Sequence, residues 1–329
     1  MDRIALTSPR RDYSISIIRV IATISIVCCH IFQYYGIELA WWLNVGVEVF
    51  LVISGYLYGK KEITDIPHFM ITNIKKILIP AFLWICFVIF FYRVFARESI
   101  GLSEIVYPLV YGQTLPGLTH MWFIPYILFC YIITPILYQL NRKITTHRLF
   151  WTIVIVLVAL PVIYQHFEYS RIVCYIIGYF IGANLHDNKK QLTRLAVLFS
   201  VLAVSFNGVR IYFKYFGIVA LLGPFEPFFM CYESYCHSLL GMALFLSLYC
   251  IFSKLNLGCN FLCGFIDRYS DEIYLTHHVF VLSVISVLSM TNYNIINCLI
   301  AAALTLVSSL SLKVVSSNVI RQIDRRIVK

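Results

Sequence analysis

Apolar runs of about 20 residues follow one another along almost the whole chain. A helix of that length crosses the hydrocarbon core of a membrane, which is about 30 Å thick. Ten segments qualify, and their expected bounds are 13–35, 41–59, 77–96, 119–139, 149–166, 169–186, 194–213, 236–254, 272–290 and 294–315. Only 13% of the 329 residues are charged, whereas a soluble domain carries roughly 25%. We therefore predict an all-α fold, a polytopic membrane bundle of about ten transmembrane helices.

The basic residues lie mainly in the short segments between these runs, and they favour one side. If the N-terminus is cytoplasmic and each segment crosses once, 20 of the 26 Lys and Arg residues fall on the inner side. Membrane proteins keep Lys and Arg in their cytoplasmic loops, so both termini are expected in the cytoplasm. The predicted organisation is a cytoplasmic tail over 1–12, a transmembrane domain over 13–315 and a basic cytoplasmic tail over 316–329. The basic residues form no stripe interleaved with aromatic residues, so we expect no nucleic-acid partner.

One apolar stretch, 216–230, is not counted as a span. It is interrupted by Gly223, Pro224 and Pro227, which are poor residues for a helix interior. We interpret it as an outer loop or a re-entrant piece. The sequence has no CxxC pair and no Cys/His spacing of a zinc site, so neither a metal ion nor a permanently bound cofactor is predicted.

Three ionisable residues lie inside the first predicted hairpin. Arg19 and His30 are eleven residues apart, which places them on one face of a helix and roughly 16 Å apart along its axis. Glu48 is as far beyond the hairpin turn as His30 is before it, so the two should meet at one depth. Imidazole beside carboxylate is a general-base arrangement. The alternative is a structural histidine, with Glu48 as its structural partner.

Five patches occur in an order that resembles a known family. The first hairpin reads Arg19, ten residues, His30, then GVEVFLVISGYLYGKK over 46–61. The later patches are NIKKILIPAFLW over 73–84, HMWFIPYILFCYIITPIL over 120–137, YIIGYFIGANL over 175–185 and YSDEIYLTHHVFV over 269–281. From residue 13 to about 315 the chain is similar to the acyltransferase-3 family of membrane O-acyltransferases.

The resemblance implies roles for the residues of the first hairpin. His30 matches the essential histidine of the family, and Glu48 matches the acidic residue of its second helix, so both are expected to be catalytic. Arg19 matches an arginine that engages the donor. The family often carries R-x-x-R before a proline, whereas this chain has Asn73 and Lys76 at those places. A lysine meets a phosphate as a point charge without the bidentate fork of arginine.

Further candidates lie outside the hairpin. Lys75 and Lys76 are expected to help attract the donor. His277, rather than His278, shares a helix face with Tyr274, and we expect it near the cytoplasmic side, in contact with the donor or packed against another helix. His120 and Trp122 are expected at the outer interface. There they are candidates for acceptor binding, although tryptophan is favoured at membrane interfaces in any case.

The expected function follows from the resemblance. It is transfer of an acyl group, acetyl by expectation, from acyl-CoA to a hydroxyl of a cell-surface glycan or its lipid-linked precursor. Acetyl-CoA is then a co-substrate, the saccharide and membrane lipid are partners, and the location is the bacterial cytoplasmic membrane. Direct transfer and an acyl-histidine relay both stay open. The alternative functions are a polysaccharide exporter and a multi-helix scaffold or sensor.

Overall fold

The computed structural model describes residues 12–96, 117–143, 170–255 and 260–327, with the isolated positions 159 and 258. Ten helices lie in these ranges: α1 Tyr13–Tyr34, α2 Ala40–Leu43, α3 Gly46–Gly59, α4 Ile66–Phe91, α5 Phe123–Lys143, α6 Ile172–Leu185, α7 Lys189–Tyr215, α8 Glu226–Leu255, α9 Phe261–Leu282 and α10 Asn294–Ile327. Short turns of π or 3₁₀ geometry are Tyr92–Ala96, Thr119–Trp122, Ile218–Leu221 and Gly223–Phe225. The all-α prediction is confirmed for the described residues.

Seven of the described segments are long and apolar enough to cross a membrane. The remaining long elements are α6, an apolar helix of 14 residues, and α9, which has 22 residues. The chain is therefore a helical, multi-pass membrane protein. The count of ten spans and the cytoplasmic location of both termini stay predictions, and the predicted span 149–166 lies outside the described residues apart from position 159.

Helices α4 and α9 start earlier than expected from the apolar runs. Helix α4 begins at Ile66 rather than at 77, because Asp65 caps it by accepting the His68 backbone N–H. Helix α9 begins at Phe261 and ends at Leu282, against an expected span of 272–290. The segments before the expected starts contain charged side chains that lower the local hydropathy, so the apolar runs begin later than the helices. These side chains include Lys75 and Lys76 in α4 and Asp267 and Arg268 in α9. N-cap residues mark such starts independently of hydropathy.

The start of α8 and the end of α10 also differ from the predicted bounds. The stretch 216–230 contains 3₁₀ turns up to Phe225, and its last five residues already belong to α8. Helix α10 continues past the expected end at 315 to Ile327. Most of the predicted basic tail is therefore helical and extends α10.

Helices α3 and α6 pack along a seam of four glycines: Gly55, Gly59, Gly178 and Gly182. A Cβ atom added at Gly55 would collide with the carbonyl oxygen of Tyr175, and one at Gly182 with that of Tyr56. Small residues at this spacing let two membrane helices approach backbone to backbone. The glycine seam therefore fixes which face of α3 is turned toward α6.

Helices α1 and α9 run side by side in the same direction. Arg19 meets Asp267 near the start of α9. Eleven residues further along each helix, the ring of His30 meets that of His278. Arg19 and His30 therefore do share one face, and that face is turned to α9.

Candidate active site

Four histidines from three parts of the chain lie together, and we call His30, His120, His277 and His278 the histidine cluster. Helix α1 supplies His30, the 3₁₀ turn before α5 supplies His120, and α9 supplies the other two. The His30 ring centroid is 5.2 Å from that of His277 and 4.6 Å from that of His278. His120 stacks on His278 at 4.6 Å. All except the half-buried His30 are buried.

The backbone of α9 fixes the tautomer of His277. Its Nδ1 lies 3.0 Å from the carbonyl oxygen of Ile273 and 2.8 Å from that of Tyr274. A carbonyl oxygen can only accept, so Nδ1 carries the proton and Nε2 carries the lone pair. This Nε2 is buried and has no hydrogen-bond partner among the described residues. His277 therefore presents an unprotonated nitrogen beside His30.

The other rings are held in similar ways. Nδ1 of His30 lies 2.7 Å from Oε1 of Gln33. His120 donates from Nε2 to the carbonyl oxygen of Leu275, at 3.1 Å. Nε2 of His278 lies 3.2 Å from the hydroxyl of Thr119. Carbonyl, amide and hydroxyl groups orient the histidine cluster, and no side-chain carboxylate contacts it among the described residues.

The expected pairing of Glu48 with His30 is wrong. Glu48 is fully buried, with its Oε1 3.2 Å from Nε of Arg171 and its Oε2 3.8 Å from Nδ1 of His237. Both His30 and Glu48 lie in the first hairpin, but helix α3 is rotated so that Glu48 faces α6 and α8. Its Cβ lies where a side chain at Gly241 of α8 would have to go. We call Glu48, Arg171 and His237 the Glu48 cluster.

The expected separation of His277 from His120 is also wrong. His277 was expected near the cytoplasmic side and His120 at the outer interface, yet their ring centroids are 5.3 Å apart. The reason is the early start of α9, which places His277 in the second half of that helix. Trp122 lies apart from the cluster, with the guanidinium of Arg171 at 4.3 Å over its ring.

The expected donor residues have carboxylate partners or line a cavity. Nη1 of Arg19 lies 2.9 Å from Oδ1 of Asp267, and Lys75 forms an ion pair with Asp324 of α10. Lys76 lines a cavity instead. No local sequence pattern points to Asp267 or Asp324, because each meets a partner almost 250 residues away along the chain.

A narrow crevice of about 40 Å³ leads up to the histidine cluster. Its walls come from α1, α3, α4, α5 and α9, and include Ile26, Phe50, Ile127, Tyr274 and Leu275. Tyr274 and Leu275 also accept hydrogen bonds from the rings of His277 and His120. The crevice and the cluster are therefore neighbours.

The other end of the crevice adjoins a polar cleft of about 450 Å³. The two cavities share Lys76, Pro80 and Asp271 as lining residues. Together they form a path from the polar cleft, past apolar side chains, to Tyr274. No described histidine lines either cavity, but the ring centroid of Tyr274 lies 5.3 Å from that of His120 and 6.1 Å from that of His277. Among the described residues, no three His, Cys, Asp or Glu side chains are placed to hold a metal ion.

Comparison with known proteins gives one match. The acyltransferase-3 family model, described as an acyltransferase domain, matches residues 12–314. That range covers nearly the whole chain and contains every residue of the histidine cluster. No curated protein and no solved structure matches the chain.

Proposed function

Because the chain belongs to the acyltransferase-3 family, we propose that it is a membrane O-acyltransferase that uses acyl-CoA to acylate a glycan. The acyl group of the proposal is acetyl. The acceptor is a hydroxyl of a cell-surface glycan or of its lipid-linked precursor, in the bacterial cytoplasmic membrane. The observation that carries the proposal is the path from the polar cleft to Tyr274, which contacts the rings of His120 and His277.

The shape and polarity of this path suit an acyl-CoA donor. The nucleotide end of CoA is anionic and hydrophilic, whereas its pantetheine arm is narrow and carries the thioester at its tip. Lys76 stands where the cleft meets the crevice. The guanidinium of Arg19 has more N–H groups than its contact with Asp267 uses. The remaining N–H groups can donate hydrogen bonds to the acyl-CoA.

His30 is the proposed general base. With Nδ1 donating to Gln33, its Nε2 carries a lone pair, so Gln33 has the orienting role that the sequence had suggested for Glu48. Nε2 takes the proton of the acceptor hydroxyl while that oxygen attacks the carbonyl carbon of the thioester. The new C–O bond forms, the C–S bond breaks, and the departing CoA thiolate takes up the proton. A positioned base contributes about 10²–10⁴ in rate.

His277 is the proposed partner of His30 in this step. Its unprotonated Nε2 can accept a hydrogen bond from an N–H group of the acyl-CoA or from the protonated His30 ring. The centroids of the His30 and His277 rings are 5.2 Å apart. His120 is the proposed contact to the acceptor, because it joins the cluster from the α5 side. Trp122, two residues further on, is the second proposed acceptor contact; the guanidinium of Arg171 covers one face of its ring, so a sugar ring would pack on the other.

The test compares His30→Ala with a matched control, His68→Ala. His68 is exposed in the first turn of α4, away from the cluster. A deletion strain is complemented with each variant, and the ester content of its surface glycans is measured by mass spectrometry. The purified proteins are also assayed for release of free CoA from acetyl-CoA.

We expect wild type and His68→Ala to restore the ester and to release CoA, and His30→Ala to do neither. Normal CoA release by His30→Ala would remove the imidazole from the mechanism. A deletion strain that loses the glycan from its surface, rather than the ester from the glycan, would instead indicate an exporter.

A further inference from the structure

The polar cleft is formed by three helices that are distant in sequence. Helix α4 contributes Lys76, helix α9 contributes Asp271 and Glu272, and helix α10 contributes Lys313, Arg321 and Asp324. Half of these charged residues come from the last helix, including Arg321, which lies beyond residue 314, where the family match ends.

Two ion pairs neutralise most of the acidic groups in the cleft. Nζ of Lys313 lies 2.8 Å from Oε1 of Glu272, and Lys75 pairs with Asp324. In the part of the chain that the structure describes, Lys76 and Arg321 line the cleft without an ion pair of their own. They face a single remaining carboxylate, Asp271.

We propose that Arg321 of α10, together with Lys76 of α4, binds the phosphate groups at the nucleotide end of the donor, so that the last helix completes the donor site. This inference rests on the proposed function, because it assigns the ligand of the same path. Arginine presents a planar fork of N–H donors that matches phosphate oxygens, and lysine adds a point charge. Lys313 adds a third cation, which Glu272 holds in place.

Asp271 distinguishes this site from a general anion site. It lines both the cleft and the crevice. In the proposed complex it therefore lies at the junction between the phosphate groups of the acyl-CoA and its pantetheine arm. A carboxylate only accepts hydrogen bonds. At that point a pantetheine arm offers amide N–H and hydroxyl groups, which are donors.

The small volume of the crevice favours a nucleotide thioester over an anionic lipid. A phospholipid would place its phosphate in the same cleft, but two acyl chains would then have to leave it together. The crevice holds about 40 Å³, which suits a single thin arm. We therefore assign the phosphate chemistry to a nucleotide.

The kinetic test uses the purified full-length chain in an uncharged detergent. Arg321→Gln is compared with Arg326→Gln, an exposed arginine of the same helix that does not line the cleft. Two donors are assayed: acetyl-CoA, and acetyl-pantetheine, which lacks the nucleotide. We expect Arg321→Gln to raise KM for acetyl-CoA about tenfold, the loss of one charge-assisted contact, and to leave acetyl-pantetheine unaffected.

The outcome separates binding from folding. Arg326→Gln should match wild type with both donors. Equal effects of Arg321→Gln on the two donors would point to a structural role of α10 and overturn the proposal. Unchanged KM values for acetyl-CoA would overturn it as well.

A binding test does not depend on the reaction. Thermal unfolding is followed with adenosine 3′,5′-bisphosphate and, separately, with phosphatidylglycerol micelles. The nucleotide should stabilise wild type and Arg326→Gln but not Arg321→Gln. Stabilisation by the lipid alone would overturn the assignment. If the nucleotide result is obtained while wild type consumes no acetyl-CoA, the proposed function fails and the nucleotide site stands.

Discussion

The histidine cluster and the Glu48 cluster both lie inside one bundle, yet they differ in the groups that surround their polar atoms. In the histidine cluster, backbone carbonyls, an amide and a hydroxyl hold the rings, and Nε2 of His277 has no partner among the described residues. In the Glu48 cluster, a fully buried carboxylate lies 3.2 Å from a guanidinium nitrogen. Both ring nitrogens of His237 also lack a hydrogen-bond partner among the described residues. The two clusters therefore differ in charge and in position: only the Glu48 cluster contains a buried carboxylate–guanidinium pair, whereas the histidine cluster contacts the crevice wall residue Tyr274.

This difference indicates which cluster takes part in catalysis and which one stabilises the fold. A proton acceptor must have a free lone pair where the substrate arrives, and the crevice ends beside the histidine cluster. In a buried ion pair each charge is compensated by the other. Removing one partner leaves an unpaired ion in an apolar interior. We therefore expect substitutions in the first cluster to lower activity, and those in the second to lower stability.

The largest expected effect is on turnover, in the pair His30 and His277. His277→Asn keeps a donor near the carbonyl groups of Ile273 and Tyr274 but removes the Nε2 lone pair. We expect His30→Ala and His277→Asn each to lower kcat about 10²- to 10⁴-fold, the range for a positioned base. Because residues that act as one unit are not additive, the double variant should be no slower than the slower single variant.

The measurement is initial CoA release by the purified proteins, with thermal unfolding as the check on folding. Multiplying effects in the double variant would show that the two imidazoles act independently. His30 and His277 would then not form one functional unit.

The next largest effect is on stability, in Glu48. Glu48→Gln removes the charge that compensates Arg171, and breaking a buried ion pair costs about 3 kcal/mol. We expect a lower unfolding temperature in detergent, with kcat of the folded fraction changed less than tenfold. Glu38→Gln is the matched control, because Glu38 is exposed just after α1.

Loss of activity without loss of stability would assign Glu48 to catalysis. A Glu48→Gln variant that is as stable as Glu38→Gln, but inactive, would return Glu48 to the catalytic machinery as first expected from its depth.

The sequence predicted the membrane bundle and the shared face of Arg19 and His30, because hydropathy and an eleven-residue spacing are local properties. It also placed Glu48 in the same hairpin as His30. It failed on the direction of Glu48, which depends on how α3 is rotated. A signal for that rotation was present: Glu48, Gly55 and Gly59 lie at positions i, i+7 and i+11, on one stripe of the helix. The stripe that packs against α6 therefore also carries Glu48 toward α6.

The composition of the histidine cluster was less accessible. The sequence favours only His277, because only one of two adjacent residues shares a face with Tyr274. In the structure the rings of both His277 and His278 contact His30. His120 contacts the other histidines because of the position of the 3₁₀ turn before α5. No spacing within one helix reports a contact between residues more than 150 positions apart.

The smallest change in stability is expected for Gly182→Ala, which tests what orients Glu48. Gly182→Ala places a methyl group against the carbonyl oxygen of Tyr56, so α3 and α6 must separate. Overpacking of this kind costs about 1–3 kcal/mol. We expect a lower unfolding temperature, measured by size-exclusion chromatography of heated samples.

Gly208→Ala is the control for the glycine seam, because a Cβ atom at Gly208 of α7 meets nothing within 4 Å. It should leave stability unchanged or raise it slightly, since alanine is the better helix former. The decisive combination is Gly182→Ala with Glu48→Gln. If the glycine seam holds Glu48 against Arg171, the two losses overlap and the double variant is more stable than their sum predicts. Strict additivity would mean that the ion pair forms independently of the seam, and some other contact would then have to set the rotation of α3.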